Sequence, residues 1–353
     1  MSKPVLRKYG KSIEGIIDIK ASLFDHNSEL LLHAKKNARL YARNPKRVDC
    51  KNCGFSLSGE SFYQLDVQYI LCENCGHLCG EFQDTDQYCA EIYDDPDATY
   101  SSQYTDVDTA QIEQRLEVIY RPKCDFLFET LQEYGESPNL LTYCELGSGA
   151  GYFLKTLQEK NVKQYKGYEV SRASISFAEK LIGPGYIHPC SLLQNSELVR
   201  STTSEVLVCL GVLEHLQNPR EILSQIKLNP HIKYLYLVVP LFSPAVFLEA
   251  AFPSIAPRVL HSGHTHLYTN QSIAYMTKEF GLTPIAEWWF GTDIFDLFRS
   301  ITTLLSSNLP ESSLLTGKWR EQFLPLVDDL QLVLDRTHWC SQIHLVASTT
   351  NSK

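Results

Sequence analysis

The sequence predicts an α/β fold, a parallel sheet with helices on both faces. The first observation behind this is Leu140-Leu141-Thr142-Tyr143-Cys144-Glu145-Leu146-Gly147-Ser148-Gly149-Ala150-Gly151. It reads as a buried strand, a glycine turn and a helix opening at Tyr152-Phe153-Leu154. Glycines at alternate positions let a backbone bend and approach a ligand closely. The first helical turn then presents unpaired N–H groups to polar or anionic ligand groups. The second observation is the alternation of strand-like and helix-like segments from there to the end of the chain. The third lies upstream, where two Cys-x-x-Cys pairs predict a small metal-binding module.

Taken in order, residues 1–25 show no clear period. Ser28 to Arg43 places Leu31, Ala34, Ala38 and Tyr41 at helical spacing among basic residues, with Asn27 or Ser28 as cap and Asn44-Pro45 as stop. Residues 1–48 form a basic N-terminal helical segment of net charge +7, and the remainder carries −16 of the total −9. The two could pack together, or the basic head could serve a partner.

Residues 49–80 are the metal module: Cys50-Lys51-Asn52-Cys53-Gly54 and Cys72-Glu73-Asn74-Cys75-Gly76 frame a possible hairpin at Phe62–Ile70. Four thiolates in two such pairs make a closed tetrahedral zinc site, structural rather than catalytic because no position is open. His77 and Cys79 follow as alternative ligands. Residues 81–110 are an acidic, Tyr-rich linker and a candidate cover for the basic helix.

From 111 to 350 the main domain begins with helical spacing at Ile112, Leu116, Ile119, Phe126, Leu127 and Leu131. Strands are expected at Tyr165–Val170, Gly185–His188, Glu205–Leu210, Tyr234–Val239, Pro284–Phe290 and Gln342–Ala347. Helices are expected at Ala173–Leu181, Pro219–Ile226 and Gln271–Phe280. A mostly helical insertion covers about 294–334, with a polar break at Ser306–Ser313.

The totals bound the function. A chain of 353 residues with 44% hydrophobic and 21% charged residues builds a sizeable core. The acidic balance argues against a nucleic-acid partner. The longest apolar run, Tyr234–Phe242, contains Pro240 and falls far short of a membrane span. Met1 to Gly10 lacks the apolar stretch of a secretory signal, so the expected address is cytoplasmic, with the eleven cysteines reduced.

The glycine pattern chooses the nucleotide. A dinucleotide fingerprint needs G-x-G-x-x-G, but here the third glycine comes one place early and the required position is Tyr152. Glu145, at the end of the strand, can accept hydrogen bonds from a cationic amine, and Glu169 at the end of the next strand can hold two ribose hydroxyls. These residues resemble the first motif of the class I S-adenosylmethionine (SAM)-dependent methyltransferases, E/D-x-G-x-G-x-G. Gly211-Val212-Leu213-Glu214-His215-Leu216-Gln217-Asn218-Pro219 is similar to the "L-E-H-l-x-[DN]-P" signature of one large branch. His264-Thr265-His266-Leu267-Tyr268-Thr269 is similar to a later segment of that branch.

The resemblance implies a Rossmann-like class I sheet of seven strands with the last antiparallel. It also implies SAM as cofactor, held by Glu145, Leu146, Gly147, Ser148, Gly149, Gly151, Tyr152, Glu169, Val170, Ser171 and Leu210. Cys190-Ser191-Leu192-Leu193 departs from the family, which usually has an acidic residue near the adenine there; contacts would fall to Ser191 and the Leu192 backbone. The double Cys-x-x-Cys module ahead of such a domain is similar to bacterial sugar-modifying and polysaccharide-cluster methyltransferases, with Cys50, Cys53, Cys72 and Cys75 on zinc. The implied acceptor is a small molecule, a sugar or nucleotide-sugar, methylated on oxygen or carbon.

An oxygen or carbon nucleophile must lose a proton, and a histidine is the readiest base. His264 is the first choice, His215 the second, with His261 and His266 in reserve and Glu214 as an orienting residue. Trp288 and Trp289 are either core or a stacking surface for the acceptor. An alternative is an RNA methyltransferase whose zinc module and basic head bind nucleic acid; another is a non-enzymatic SAM sensor.

Overall fold

The computed structural model describes residues 3–93, 108–261, 263–309 and 313–349. Strands follow the chain as β1 (Leu6–Tyr9), β2 (Ser61–Gln64), β3 (Val67–Leu71), β4 (Leu78–Gly80), β5 (Thr142–Leu146) and β6 (Gln164–Glu169). They continue as β7 (Ile187–Pro189), β8 (Val206–Leu210), β9 (Tyr234–Pro240), β10 (His266–Leu267), β11 (Thr283–Phe290) and β12 (Gln342–Ser348).

The main sheet has the order β1-β11-β12-β9-β8-β5-β6-β7. The seven expected strands are all there, and β12 runs antiparallel to both β9 and β11. Its central strand β9 is buried along its whole length. Successive side chains point to opposite faces, so Leu235, Leu237 and Val239 enter one core while Tyr236 and Val238 enter the other. Burial on both faces explains the unbroken apolar run that alternation alone would not predict. The fold is thus a Rossmann-like α/β sheet with a four-cysteine cluster near its N-terminus.

An eighth strand joins where the sequence shows no period. Leu6–Tyr9 pairs in parallel with Ala286–Trp289. Trp288 Nε1 donates to the Gly10 carbonyl at 2.8 Å, and Gly10 N donates to Trp289 O at 3.0 Å. A four-residue edge strand with Arg7 and Lys8 exposed is too short to display an alternation. The helix Asn27–Tyr41 forms as expected, but its cap does not: His26 occupies the N-cap with no side-chain bond. The Asn27 carboxamide is used elsewhere, donating to Ser254 O and accepting from Ala256 N. The insertion divides into helices Asp293–Asn308, Leu314–Phe323 and Val327–Arg336.

The second sheet, β10-β4-β3-β2, belongs to the cysteine module. The expected hairpin is β2–β3, closed by Leu65 and Asp66 at positive φ, the conformation a tight hairpin requires. Its fourth strand comes from far along the chain, with His266 and Leu267 pairing Cys79 and Leu78. The acidic stretch after it contributes the helix Asp86–Tyr93, whose Tyr88 packs on Tyr41 of the basic helix; its residues 94–107 lie outside the described ones. Basic and acidic segments also meet at Lys46–Glu81 and Arg47–Asp84.

Candidate active site

The β5 strand ends in Glu145 and turns through Gly147 and Gly149, both in the left-handed region. At Gly149 (φ 51°) a Cβ would meet no protein atom within 4 Å, so it would project into the open pocket. Glu169, at the end of β6, accepts from Gly149 N at 2.7 Å and from Ser171 N at 2.8 Å. Each carboxylate oxygen accepts one backbone bond and keeps a lone pair for a further donor such as a sugar hydroxyl. Glu145 is 3% exposed, and among the described residues its Oε2 has no hydrogen-bond partner. Burial, opposed by Lys123, pushes its carboxyl well above the carboxylate range. A cation delivered to that oxygen would relieve the cost, which fits the amine end of SAM.

Eight of the expected cofactor residues line this pocket: Glu145, Gly147, Ser148, Gly149, Glu169, Val170, Ser171 and Leu210. The others lie elsewhere. Leu146 points into the core with 1% exposure. Gly151 is packed against Ala178, and Tyr152 is buried with its ring stacked at 5.1 Å on Tyr120, which itself faces the pocket. Ser191 is exposed and its N–H donates to Gln194; among the described side chains Cys190 and Asn195 line that side instead. The sequence reading missed Tyr120 and Lys123, from the segment before β5, and Tyr168, Val212 and Leu216. Tyr168 and Val212 neighbour motif residues and were findable. Tyr120 and Lys123 carry no local signal.

The Leu213–His215 turn follows β8 and brings Glu214, His215 and His264 together. One oxygen or nitrogen atom from each lies within 4.8 Å of the others. His215 lines the pocket, and its Nδ1 donates to Gly263 O at 2.9 Å, so Nε2 carries the lone pair. His264 lies behind it, ring centroids 4.8 Å apart, with Nδ1 donating to Val259 O at 2.8 Å. The His261 ring lies tilted against that of His264, centroids 4.5 Å apart. Burial lowers His215 to about 4 and His264 well below the usual range, so both are neutral near pH 7. Glu214 Oε2 has no partner, and burial raises that carboxyl to about 8.

His266 serves another purpose. Its Nε2 donates to Leu213 O at 3.1 Å and its Nδ1 accepts from His77 Nε2 at 2.8 Å. Both of its nitrogens are occupied, so it has no free lone pair for a base. Trp288 and Trp289 are 2% and 4% exposed; Trp289 stacks on His338 at 4.2 Å, and neither offers a face to an acceptor.

The four cysteines form a fit cage. Cys50 and Cys75 sulfurs stand 3.7 Å apart, as do Cys53 and Cys72. A tetrahedron with Zn–S bonds of about 2.3 Å has edges of about 3.8 Å. Gly54 and Gly76 close the two knuckles by donating to the Cys50 and Cys72 carbonyls. Cys79 stands outside at 4.0 Å from Cys50, and His77 is engaged with His266 and Ser272, so neither joins the cage.

The module also grips the active-site turn. Lys51, between Cys50 and Cys53, donates to Leu216 O at 2.7 Å and pairs with Asp84. Asn52 donates to Ser272 O at 3.0 Å, and Arg220 returns to Asn52 O at 2.7 Å. Together with His77–His266–Leu213, these bonds hold the Leu213–Leu216 turn from the side of the cysteine cage.

Residues 114–287 match the model of a family described as a methyltransferase domain. No curated protein matches the chain. Among solved structures the chain is similar to magnesium protoporphyrin IX methyltransferase from Synechocystis PCC 6803 with bound SAH. That match has 12% identity and a TM-score of 0.43, over 69% of this chain and 89% of the other. A plantazolicin methyltransferase in complex with SAH matches at 14% identity and TM-score 0.45, over 74% and 93%. A SAM-dependent methyltransferase from Archaeoglobus fulgidus matches at 14% and 0.38, over 69% and 100%.

Proposed function

We propose that this chain, a SAM-dependent methyltransferase, methylates a small polar acceptor, a sugar or nucleotide-sugar, on oxygen or carbon. The observation that carries the cofactor half is the pocket itself: a glycine loop opposite Glu169, with a buried Glu145 oxygen awaiting a cation. Glu145 would hold the amine end, Glu169 the ribose, and the Gly147–Gly149 backbone the space between. SAM supplies a methyl carbon activated by its sulfonium leaving group. The acceptor half is supported by the similarity of the double Cys-x-x-Cys module to those of sugar-modifying enzymes.

The protein's share of the chemistry is alignment and deprotonation. His215, on the pocket wall with Nε2 unprotonated, is the residue that takes the acceptor's proton. The Gly263 carbonyl orients its ring, and His264 and Glu214 stand within 4.8 Å of it. With His215 lowered to about 4, its ring is neutral at every higher pH, so the acid limb of kcat/KM lies well below pH 6.5. Replacing His215 with Asn lowers kcat by roughly 100- to 10,000-fold while leaving S-adenosylhomocysteine affinity unchanged. A parallel loss of cofactor affinity would place His215 in binding instead.

The acceptor is tested by incubating sugars and nucleotide-sugars with isotope-labelled SAM and reading label in the product by mass spectrometry. Label found only in a non-carbohydrate acceptor would overturn the sugar assignment. No membrane-spanning helix is present among the described residues.

A further inference from the structure

Buried positive charge in this protein is partnered almost everywhere. Lys51 has Asp84, Arg47 has Asp84, and Arg258 has Asp296. Among the described residues Lys11, Lys20 and Lys123 make no such pair, and Lys11 and Lys20 stand furthest from any free carboxylate. Both are half-buried, and among the described residues neither makes a hydrogen bond or ion pair. Lys11 follows β1 directly, at the carboxyl edge of the sheet, with its ammonium 5.2 Å over the ring of Phe290, the last residue of β11. The cofactor loop after β5 leaves the same edge, because β5, β8 and β9 run parallel. In open α/β sheets ligands bind along that edge.

Lys20 ends the short helix Ile16–Ile19, and Lys123 lies in the first turn of the helix Arg121–Glu133, on the wall of the cofactor pocket. The three ammonium groups repel one another. Burial lowers Lys11 to about 7, with Lys123, Lys20 and Lys8 adding to it. Burial also lowers Lys20 to about 7, with Arg258, Arg299 and Lys123 adding and Asp296 opposing. Asp296 is already held by Arg258 at 2.6 Å. Lys123 has Glu145 and Glu214 to balance it, and the carboxylate of the cofactor is a further partner for it. Lys11 has no such balance, and Lys20 has only the carboxylate of Asp296, which it shares with Arg258. Desolvating unpaired ammonium groups is costly, and groups so perturbed cluster at sites where ligands bind.

We infer that the acceptor is an anion, and that Lys11 and Lys20 bind its phosphate or carboxylate group beside the cofactor pocket. The inference rests on the methyltransferase reading and narrows its substrate class: a neutral sugar would leave the two lysines unpaired, whereas a nucleotide-sugar or a sugar acid would not.

The test uses the full chain loaded with S-adenosylhomocysteine and three probes: inorganic pyrophosphate, malonate and glucose. In the wild type, Lys11 and Lys20 are acylated by acetic anhydride at pH 7 faster than surface lysines, and the anion that matches the site protects both. Pyrophosphate protection points to a phosphorylated acceptor, malonate protection to a carboxylate. By calorimetry the same anion binds saturably, and K11Q and K20Q each weaken it at least tenfold. Lys8→Gln, which removes an ammonium lying on Trp288, leaves it within twofold. S-adenosylhomocysteine binds every variant. Labelling indifferent to both anions, or protection by glucose alone, overturns the inference and needs no variant to fold. Failure of the wild type to bind S-adenosylhomocysteine would instead overturn the methyltransferase reading.

Discussion

Gly149→Val abolishes binding of SAM and S-adenosylhomocysteine, with affinity falling by about 100-fold or more in calorimetry. Two effects add. A β-branched residue at positive φ is strained by about 1–3 kcal/mol, and each 1.4 kcal/mol is tenfold in affinity. The valine Cβ would also enter space in which no described protein atom beyond the neighbouring residues lies within 4 Å. That openness makes Gly149 the informative glycine. A Cβ at Gly147 would meet Val212 at 2.7 Å, and one at Gly151 would meet Ala178 at 2.9 Å, so substitution there would disturb the core as well. Gly149→Asn separates the causes, since Asn visits the left-handed region with little strain. Lost binding in Asn as well as Val indicates occlusion of the ligand. Undiminished affinity in Val would defeat the assignment of this loop to the cofactor.

The second large effect is at the other end of the site. Cys72→Ser, or a strong chelator, releases one zinc per chain and unfolds the module. In small zinc domains the metal contributes on the order of 10 kcal/mol, more than the β2–β4 hairpins could replace. The consequence reaches the catalytic turn, because Lys51 and Asn52 sit inside the first knuckle and His77 follows the second. When the knuckles open, Leu216 O loses Lys51 and Leu213 O loses the His266–His77 support. Amide exchange across residues 211–217 should therefore accelerate together with that of 50–80, while the glycine loop at 145–151 stays protected and S-adenosylhomocysteine still binds. Metal analysis finding no zinc in the wild type would sink the first half. Exchange at 211–217 indifferent to zinc would sink the second.

Much of the site was legible because its signals are local. The strand, turn and helix around Glu145–Gly151, the spacing of the four cysteines, and Glu169 at a strand end each occupy a few consecutive residues. Backbone geometry forces that pattern, whatever the rest of the chain does. Histidine roles were less legible. His264 and His266 are two residues apart, and one faces His215 beside the pocket while the other holds a carbonyl of the turn. In a strand residues two apart would share a face, but His264 precedes β10 on irregular chain, and only the packing around it decides where each ring points.

By itself the sequence determined the sheet of alternating strands and helices, the cofactor loop and the cysteine cage. These follow from periodicity and from ligand spacing along one stretch of chain. Only the tertiary structure decided that Leu6–Tyr9 adds an edge strand, carrying Lys11 to the ligand edge of the sheet. It likewise decided that Tyr120 and Lys123 wall the pocket, and that the cysteine knuckles hold the Glu214–His215 turn. Each of these joins residues tens to hundreds of positions apart. Such contacts are selected by the burial and hydrogen bonding of the whole fold, and no local pattern records them.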